Sequence, residues 1–175
     1  AVAVAQLFVL TPGHPWGGDF SQYIHHAVNL LHGEGYGDTG YLFNPAHPNV
    51  GPPHYPPGLP LMFAPVIAVW GVNFTVLKLV ILASSVAVVA MVYLCFRRDL
   101  PLGYLVALLA IVGLNQHAVA DVNSIGSDVP FMALLYLAIF VIRTAYDTPE
   151  QQPPRQGLLL LAAASAASLL TGLPV

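Results

Sequence analysis

Charged side chains are scarce in this chain. Only 7% of its residues are Asp, Glu, Lys or Arg, whereas 57% are hydrophobic. Soluble domains carry about 25% charged residues, so the composition excludes a water-facing globule and predicts that lipid covers much of the surface. The absence of a basic cluster gives no support to nucleic acid as a partner. The single cysteine, Cys95, lies within an apolar run, which excludes an intrachain disulfide.

Basic residues are absent from positions 12–77, although this stretch holds three acidic residues and six of the seven histidines. Four of the five basic residues fall in two short segments between apolar runs: Arg97, Arg98, Arg143 and Arg155. This distribution is typical of a polytopic membrane protein, whose cytoplasmic loops are enriched in Lys and Arg. It predicts an integral membrane protein, with residues 12–72 and 115–128 on the extracytoplasmic side.

The apolar runs predict an all-α fold with about five transmembrane passes, since a spanning helix needs roughly 20 apolar residues. The predicted passes are the tail of a first span at 1–10, then 74–96, 100–114 and 130–143, and a last span that begins at 158. A shorter run, 59–70, carries two prolines and is typical of a re-entrant or interfacial helix. Because the chain starts and ends inside apolar runs, we expect it to be an N-terminal part of a membrane domain, truncated at both ends.

The long first outer loop contains a predicted amphipathic helix from Asp19 to Leu31. Its apolar residues recur at steps of three and four, as on one face of a helix: Phe20, Tyr23, Ile24, Ala27, Val28 and Leu31. We therefore expect a helix lying at the membrane surface, with Asp19 as its N-cap or in its first turn. Residues 33–57 show no period and predict a loop.

Two acidic positions in the outer loops are candidates for chemistry. Asp19 follows two glycines, and the same residue type caps helices, so capping and a role as general base both remain open. A carboxylate is ionised at neutral pH and can accept a proton. Ser127 and Asp128 precede Pro130 at the start of a predicted span. They are interpreted either as a helix cap or as groups that bind sugar hydroxyls or an acceptor.

The segment from His54 to Pro60 combines aromatic residues with three prolines. Pro56 and Pro57 predict a stiff return into the membrane, because proline fixes backbone φ. We add the hypothesis that His54 and Tyr55 face a polar headgroup or a sugar. Lys78 lies about one turn inside its span, where it either snorkels to the interface or pairs with a lipid phosphate.

Histidine spacing does not favour a metal site. His25 and His26 are adjacent and would point to different faces of a helix, and no HxxxH or HExxH pattern occurs. No cofactor is therefore assigned, and a divalent metal is left open without support from ligand spacing.

Three segments, in this order, resemble the GT-C superfamily of membrane glycosyltransferases, in particular the family 39-like protein O-mannosyltransferases and aminoarabinose transferases. They are GGDFSQYIHHAVNLLHGEGY, YPPGLPLMFAPVIAVWGVN and SDVPFMALLYLAIFVIR. The resemblance implies transfer of a sugar from a polyprenyl-phosphate carrier to an acceptor hydroxyl of a protein, lipid or glycan, with inversion, on the extracytoplasmic face of a bacterial inner membrane.

The resemblance also implies roles for individual residues. Asp19 occupies the position of the catalytic acidic residue, which deprotonates the acceptor. Asp128 matches a second acidic position that helps to bind acceptor or donor, and Tyr55, Pro56 and Pro57 match the donor-side segment. Together with the residues considered above, the predicted substrate-binding set comprises Tyr23, His54, Tyr55, Pro56, Pro57, Lys78, Ser127 and Asp128.

Two other classes of function remain as alternatives. A transporter segment would favour broken helices and polar groups at the bilayer midplane, whereas the polar groups here lie in the predicted outer loops. A non-catalytic membrane assembly protein would keep the same fold without using Asp19 as a base.

Overall fold

The computed structural model describes residues 1–15, 18–47 and 54–146. These residues form an all-helical fold, as predicted, and contain no strand. The helices in chain order are α1 (Val2–Phe8), α2 (Phe20–His32), α3 (Gly58–Trp70), α4 (Phe74–Phe96), α5 (Leu102–Leu114), α6 (Gln116–Asp121) and α7 (Asp128–Tyr146). The predicted span that begins at 158, and most of the polar loop before it, lie outside the described residues.

Helix α4 is the described helix that is long and apolar enough to cross a membrane, by length and composition. Its 23 residues coincide with the predicted span. At 1.5 Å per residue it extends about 34 Å, which matches a hydrocarbon core of about 30 Å. Helices α3 and α5 are apolar but have only 13 residues each. A topology of five passes therefore stays a prediction.

Asn115 explains why α5 is shorter than a full span. Its side-chain amide donates to the carbonyls of Ile111 and Val112, which closes the end of α5. Its side-chain oxygen accepts from the backbone N–H groups of His117 and Ala118 and so caps the start of α6. One asparagine thus satisfies groups at two helix ends and fixes the bend between them.

The main core lies between α2, α3 and the N-terminal half of α4. On the predicted apolar face of α2, Tyr23, Ile24 and Ala27 are buried, while Leu31 is exposed. These side chains pack with Phe63 of α3 and Leu77 of α4. The face that was expected to contact the membrane surface therefore contacts other helices of the protein.

Helix α4 also packs along α7, and polar contacts join the C-terminal ends of these two helices. Arg143 donates to the backbone carbonyl of Cys95 and forms an ion pair with Asp99. These contacts anchor the C-terminal ends of the two helices and leave their N-terminal ends beside α2.

Candidate functional site

Asp19 occupies the N-cap position of α2, but its side chain makes no capping hydrogen bond. Its backbone has αR geometry (φ −92°, ψ −1°), and its carbonyl accepts from the N–H groups of Gln22 and Tyr23. An N-cap side chain normally accepts from the N2 or N3 amide with the backbone in the β region. The carboxylate of Asp19 is therefore free for other contacts.

His14 positions this end of α2 against the segment that precedes α7. Its Nε2 atom accepts a hydrogen bond of 2.9 Å from the backbone N–H of Ile125. Its ring stacks on Phe20 with a centroid separation of 4.1 Å. Since Phe20 follows Asp19 and Ile125 lies two residues before Ser127, this contact brings the two predicted site segments together.

Two tyrosines link these segments further. The hydroxyl groups of Tyr23 and Ser127 share a hydrogen bond of 2.9 Å. The rings of Tyr23 and Tyr55 lie 4.8 Å apart between centroids, and both tyrosines are buried. The carboxylate of Asp19 lies near the Tyr55 hydroxyl and acts on its pKa.

Burial and the neighbouring carboxylates both affect the pKa values of the two tyrosines. Burial raises the pKa of Tyr55, and the hydrogen bond and charge of Asp19 raise it further. Burial also raises the pKa of Tyr23; the Ser127 hydrogen bond lowers it, and the charges of Asp19 and Asp128 raise it. Both phenols therefore stay protonated beside the carboxylates. We call Asp19, Tyr23, Tyr55, Ser127 and Asp128 the carboxylate–tyrosine cluster.

A second group of side chains holds the loop around this cluster. His26 is fully buried: its Nδ1 atom lies 2.7 Å from the carbonyl of Tyr36, and its Nε2 atom accepts from the Tyr55 backbone N–H at 3.3 Å. The Tyr36 hydroxyl donates to the Tyr55 carbonyl at 2.7 Å, and burial raises the pKa of Tyr36. Asn29 donates to the carbonyls of Gly35 and Asp38.

His54 lies in this supporting group rather than in the carboxylate–tyrosine cluster. Its ring centroid is 6.4 Å from that of His26, and its buried Nδ1 atom has no hydrogen-bond partner among the described residues. A Cβ atom added at Gly37 would meet the His54 ring at 2.1 Å. Gly37 is therefore needed to let the ring approach the loop.

Lys78 is placed in a way that the sequence did not indicate. Its side chain is fully buried, and its Nζ atom donates to the Thr11 carbonyl at 2.9 Å and to the Thr11 hydroxyl and the Asn123 side-chain oxygen at 3.4 Å. Asn123 also accepts from the Thr11 N–H and donates to the Val9 carbonyl. We call Lys78, Thr11, Asn123 and Val9 the Lys78 junction; here the lysine is covered by protein instead of extending to an interface.

The two prolines have structural positions. Pro56 is buried, and Pro57 is the N-cap residue of α3, with its carbonyl accepting from Leu61 at 2.9 Å. Because proline fixes its backbone φ, these two residues set the direction of the chain between Tyr55 and α3, and this direction positions Tyr55 in the cluster.

The described residues contain no group of three or more His, Cys, Asp or Glu side chains that could hold a metal ion. The carboxylate–tyrosine cluster instead contains the Asp19 carboxylate, which does not cap its helix, a second carboxylate, and two aromatic rings with hydroxyl groups. Such an arrangement can accept a proton and can bind a hydroxylated ligand through its aromatic faces and hydroxyls.

Sequence reasoning missed the residues that hold these elements in place: His14, His26, Tyr36 and Asn123. Their partners are backbone groups up to 114 positions away, and such contacts leave no periodic signal in the sequence. The chain matches no family model, no curated protein and no solved structure.

Proposed function

We propose that this chain forms part of a membrane glycosyltransferase of the GT-C type, which moves a sugar from a polyprenyl-phosphate donor to an acceptor hydroxyl, with Asp19 as the general base. The observation that carries the proposal is the carboxylate of Asp19, which does not cap its helix and meets the Tyr55 hydroxyl beside the Tyr23–Ser127 pair. The acceptor belongs to a protein, a lipid or a glycan.

In the proposed step, the acceptor oxygen attacks the anomeric carbon from the face opposite the phosphate. A new carbon–oxygen bond forms to the acceptor, and the bond from the anomeric carbon to the phosphate oxygen breaks. The proton of the acceptor hydroxyl passes to Asp19, and the bonding electrons leave with the polyprenyl phosphate. A phosphate is a stable anion, so the leaving group needs no strong acid.

The neighbours of Asp19 have supporting roles in this proposal. Tyr55 keeps its proton because burial and the Asp19 charge raise its pKa, and it therefore donates to the carboxylate and orients it. Tyr23 and Ser127 fix the distance between α2 and α7, and Asp128 is available for sugar or acceptor hydroxyls. His54 and the two prolines support the loop that carries Tyr55.

The membrane setting of the proposal rests on α4 and on charge. Helix α4 has the length and composition of a span. The ion pair of Arg143 with Asp99 and the neighbouring Arg97 and Arg98 lie at the opposite end of α4 from the carboxylate–tyrosine cluster. By the positive-inside rule, this arrangement favours an extracytoplasmic site in a polytopic protein of about five passes in this region.

The experiment compares the wild-type full-length protein with an Asp19→Asn variant. Asparagine keeps the shape of the side chain but cannot accept the proton, so we expect transfer to fall by about 10²–10⁴-fold, the usual contribution of a positioned base. The measurement is mass spectrometry of glycolipids and glycoproteins from cells that carry each variant in place of the native gene.

Asp38→Asn is the matched control, because Asp38 is an exposed acid of the same loop outside the cluster. We expect it to give the wild-type glycan profile, and both variants to reach the membrane at equal levels. A wild-type profile from Asp19→Asn would remove Asp19 as the base. A profile that does not change even when the gene is deleted would favour a transporter or an assembly protein.

A further inference from the structure

A second polar region lies on the other side of Asp128, at a cavity of about 330 Å³ between α4, α5, α6 and α7. This volume is at the lower end of the range for small-molecule sites, about 300–1,000 Å³. His117, Asp121 and Asp128 line the cavity along α6 and at the start of α7, and the polar side chains of Ser85 and Tyr136 line it further along α4 and α7. We call this space the acidic cavity.

The walls of the acidic cavity change in character along its length. Val88 and Val89 of α4, Val112 of α5 and Met132 of α7 form the apolar part. Val88 and Val89 lie near the middle of α4 and Met132 lies about one turn into α7, whereas Asp121 ends α6 and Asp128 begins α7. A ligand that fits both parts must have an apolar chain and a polar end.

The sign of charge at the polar end is negative. No Lys or Arg lines the cavity, and within the described part of the chain neither Asp121 nor Asp128 forms a hydrogen bond or an ion pair through its carboxylate. Burial, and then the charge of Asp128, raise the pKa of Asp121, while His117 lowers it to a smaller extent. A partly buried carboxylate without a partner is costly, and a cation beside it would remove that cost.

The cation is better supplied by an organic ligand than by a metal ion. Across residues 1–15, 18–47 and 54–146, no three His, Cys, Asp or Glu side chains converge closely enough to hold a metal. An anionic end such as a phosphate would meet two like charges at this mouth, those of the partly buried Asp121 and the exposed Asp128, which is unfavourable.

We infer that the acidic cavity binds an amphiphile with a single alkyl chain and a positively charged, amine-bearing headgroup. The chain lies between Val112 and Met132, and the amine lies between Asp121 and Asp128. The inference concerns binding alone and does not depend on Asp19 acting as a base.

The test uses three photoreactive probes with the same dodecyl chain, a diazirine in that chain, and an amine, a phosphate or a glucoside as headgroup. The full-length protein is held in phosphatidylcholine nanodiscs, and labelled peptides are identified by mass spectrometry. Labelling of the α4 and α7 segments at the cavity is divided by labelling at the exposed apolar groove around Met62 and Trp70, which corrects for partition into the bilayer.

We expect the amine probe to label the cavity about tenfold more than the phosphate probe, because an opposite charge replaces a like charge beside two carboxylates. The double variant Asp121→Asn, Asp128→Asn should lower amine labelling to the level of the neutral glucoside. Asp38→Asn, which changes an exposed acid outside the cavity, should leave the labelling unchanged. Met132→Trp should reduce labelling by all three probes, because it fills the apolar part.

Equal labelling by the amine and phosphate probes, or an unchanged amine preference in the double variant, would overturn the inference. So would labelling that Met132→Trp does not reduce. Each variant is checked for a single symmetric peak in size-exclusion chromatography, and the Met132→Trp variant tests the cavity without altering its charge. Asp19→Asn should label like the wild type, so failure of the transferase proposal and failure of this inference give different results.

Discussion

The Lys78 junction and the carboxylate–tyrosine cluster both lie near the N-terminal end of α4, but they use their polar groups differently. In the junction, the Lys78 ammonium has three oxygen acceptors, and Asn123 uses both its amide nitrogen and its oxygen. In the cluster, the tyrosine hydroxyls are paired, yet two carboxylates stand without a cation among the residues that the structure describes. The first arrangement holds elements together, and the second leaves capacity for a ligand.

Among the variants that test this comparison, Asn123→Leu is expected to have the largest effect, a loss of stability. The change removes the acceptor of the Thr11 N–H and of Lys78 and the donor to the Val9 carbonyl. Because a buried ammonium and backbone groups lose partners, we expect the free energy of unfolding to fall by about 3 kcal/mol. Reversible unfolding in mixed detergent–SDS micelles measures this change.

Asn44→Ala is the control for Asn123→Leu. The Asn44 side chain is exposed and accepts one hydrogen bond from Ala46 within a turn. It should lower the free energy of unfolding by less than about 1 kcal/mol. If both variants unfold alike, the junction does not hold the N-terminal segment to α4, and the contrast between the two regions disappears.

A smaller effect, confined to the cluster, is expected from Tyr55→Phe. The variant keeps the buried ring and removes the hydroxyl that interacts with Asp19. Under the transferase proposal, transfer should fall about tenfold, which corresponds to a net hydrogen bond of about 1.4 kcal/mol. Steady-state kinetics should place the loss in kcat, since the variant keeps the aromatic ring and loses only the hydroxyl that orients the base.

Tyr104→Phe is the matched control, because this tyrosine of α5 is 72% exposed and lies outside the cluster. Its transfer rate should equal that of the wild type. A Tyr55→Phe protein with wild-type kcat would leave the Asp19–Tyr55 contact without a role in catalysis and reduce the cluster to a structural contact like the Lys78 junction.

Sequence reasoning predicted the features that periodicity and run length determine. The apolar run 74–96 predicted a helix with the bounds that α4 has, and α2 was predicted from its three- and four-residue spacing to within one residue. The spacing also gave the right buried face but not its partner, since an apolar stripe fits lipid and protein equally well. Helix α3 supplied that partner.

The candidate site was predictable only as a set of residue types. The positions of Asp19 and Ser127 were visible as motifs, but their proximity depends on His14, which joins Ile125 across 111 positions. Lys78 shows the same limit. Because Lys78 lies one turn inside a predicted span, the sequence suggested that its side chain reaches the membrane interface. The side chain is buried because Thr11, held by Asn123, covers it.

The smallest expected effect concerns pH and the loop that carries Tyr55. Burial, chiefly, lowers the pKa of His26 from its usual value of 6.5; the hydrogen bond with the Tyr36 carbonyl raises it, and the charges of His54 and His25 lower it. In the fold, Nε2 accepts from the Tyr55 N–H, which identifies the neutral ring with its proton on Nδ1. A second ring proton would face that N–H group.

Because of this pairing, the folded loop loses stability as the pH falls. The unfolded loop binds a proton as the pH falls below 6.5, while the folded loop resists it, so the stabilising contribution of His26 is complete above pH 6.5 and is lost as the pH falls below that value. The slope cannot exceed about 1.4 kcal/mol per pH unit for one proton. Hydrogen exchange of residues 33–40 and of the amides of His54 and Tyr55, corrected for intrinsic rates, should accelerate between pH 7.5 and 5.5.

His26→Gln should remove this pH dependence, whereas His32→Gln, an exposed change at the end of the same helix, should keep it. Retention of the acceleration in His26→Gln would assign it to His54 or His25 instead. Loss of it in both variants would mean that the loop responds to the net charge of α2. The expected pattern, with only His26 required, would show that the support around Tyr55 depends on one neutral imidazole.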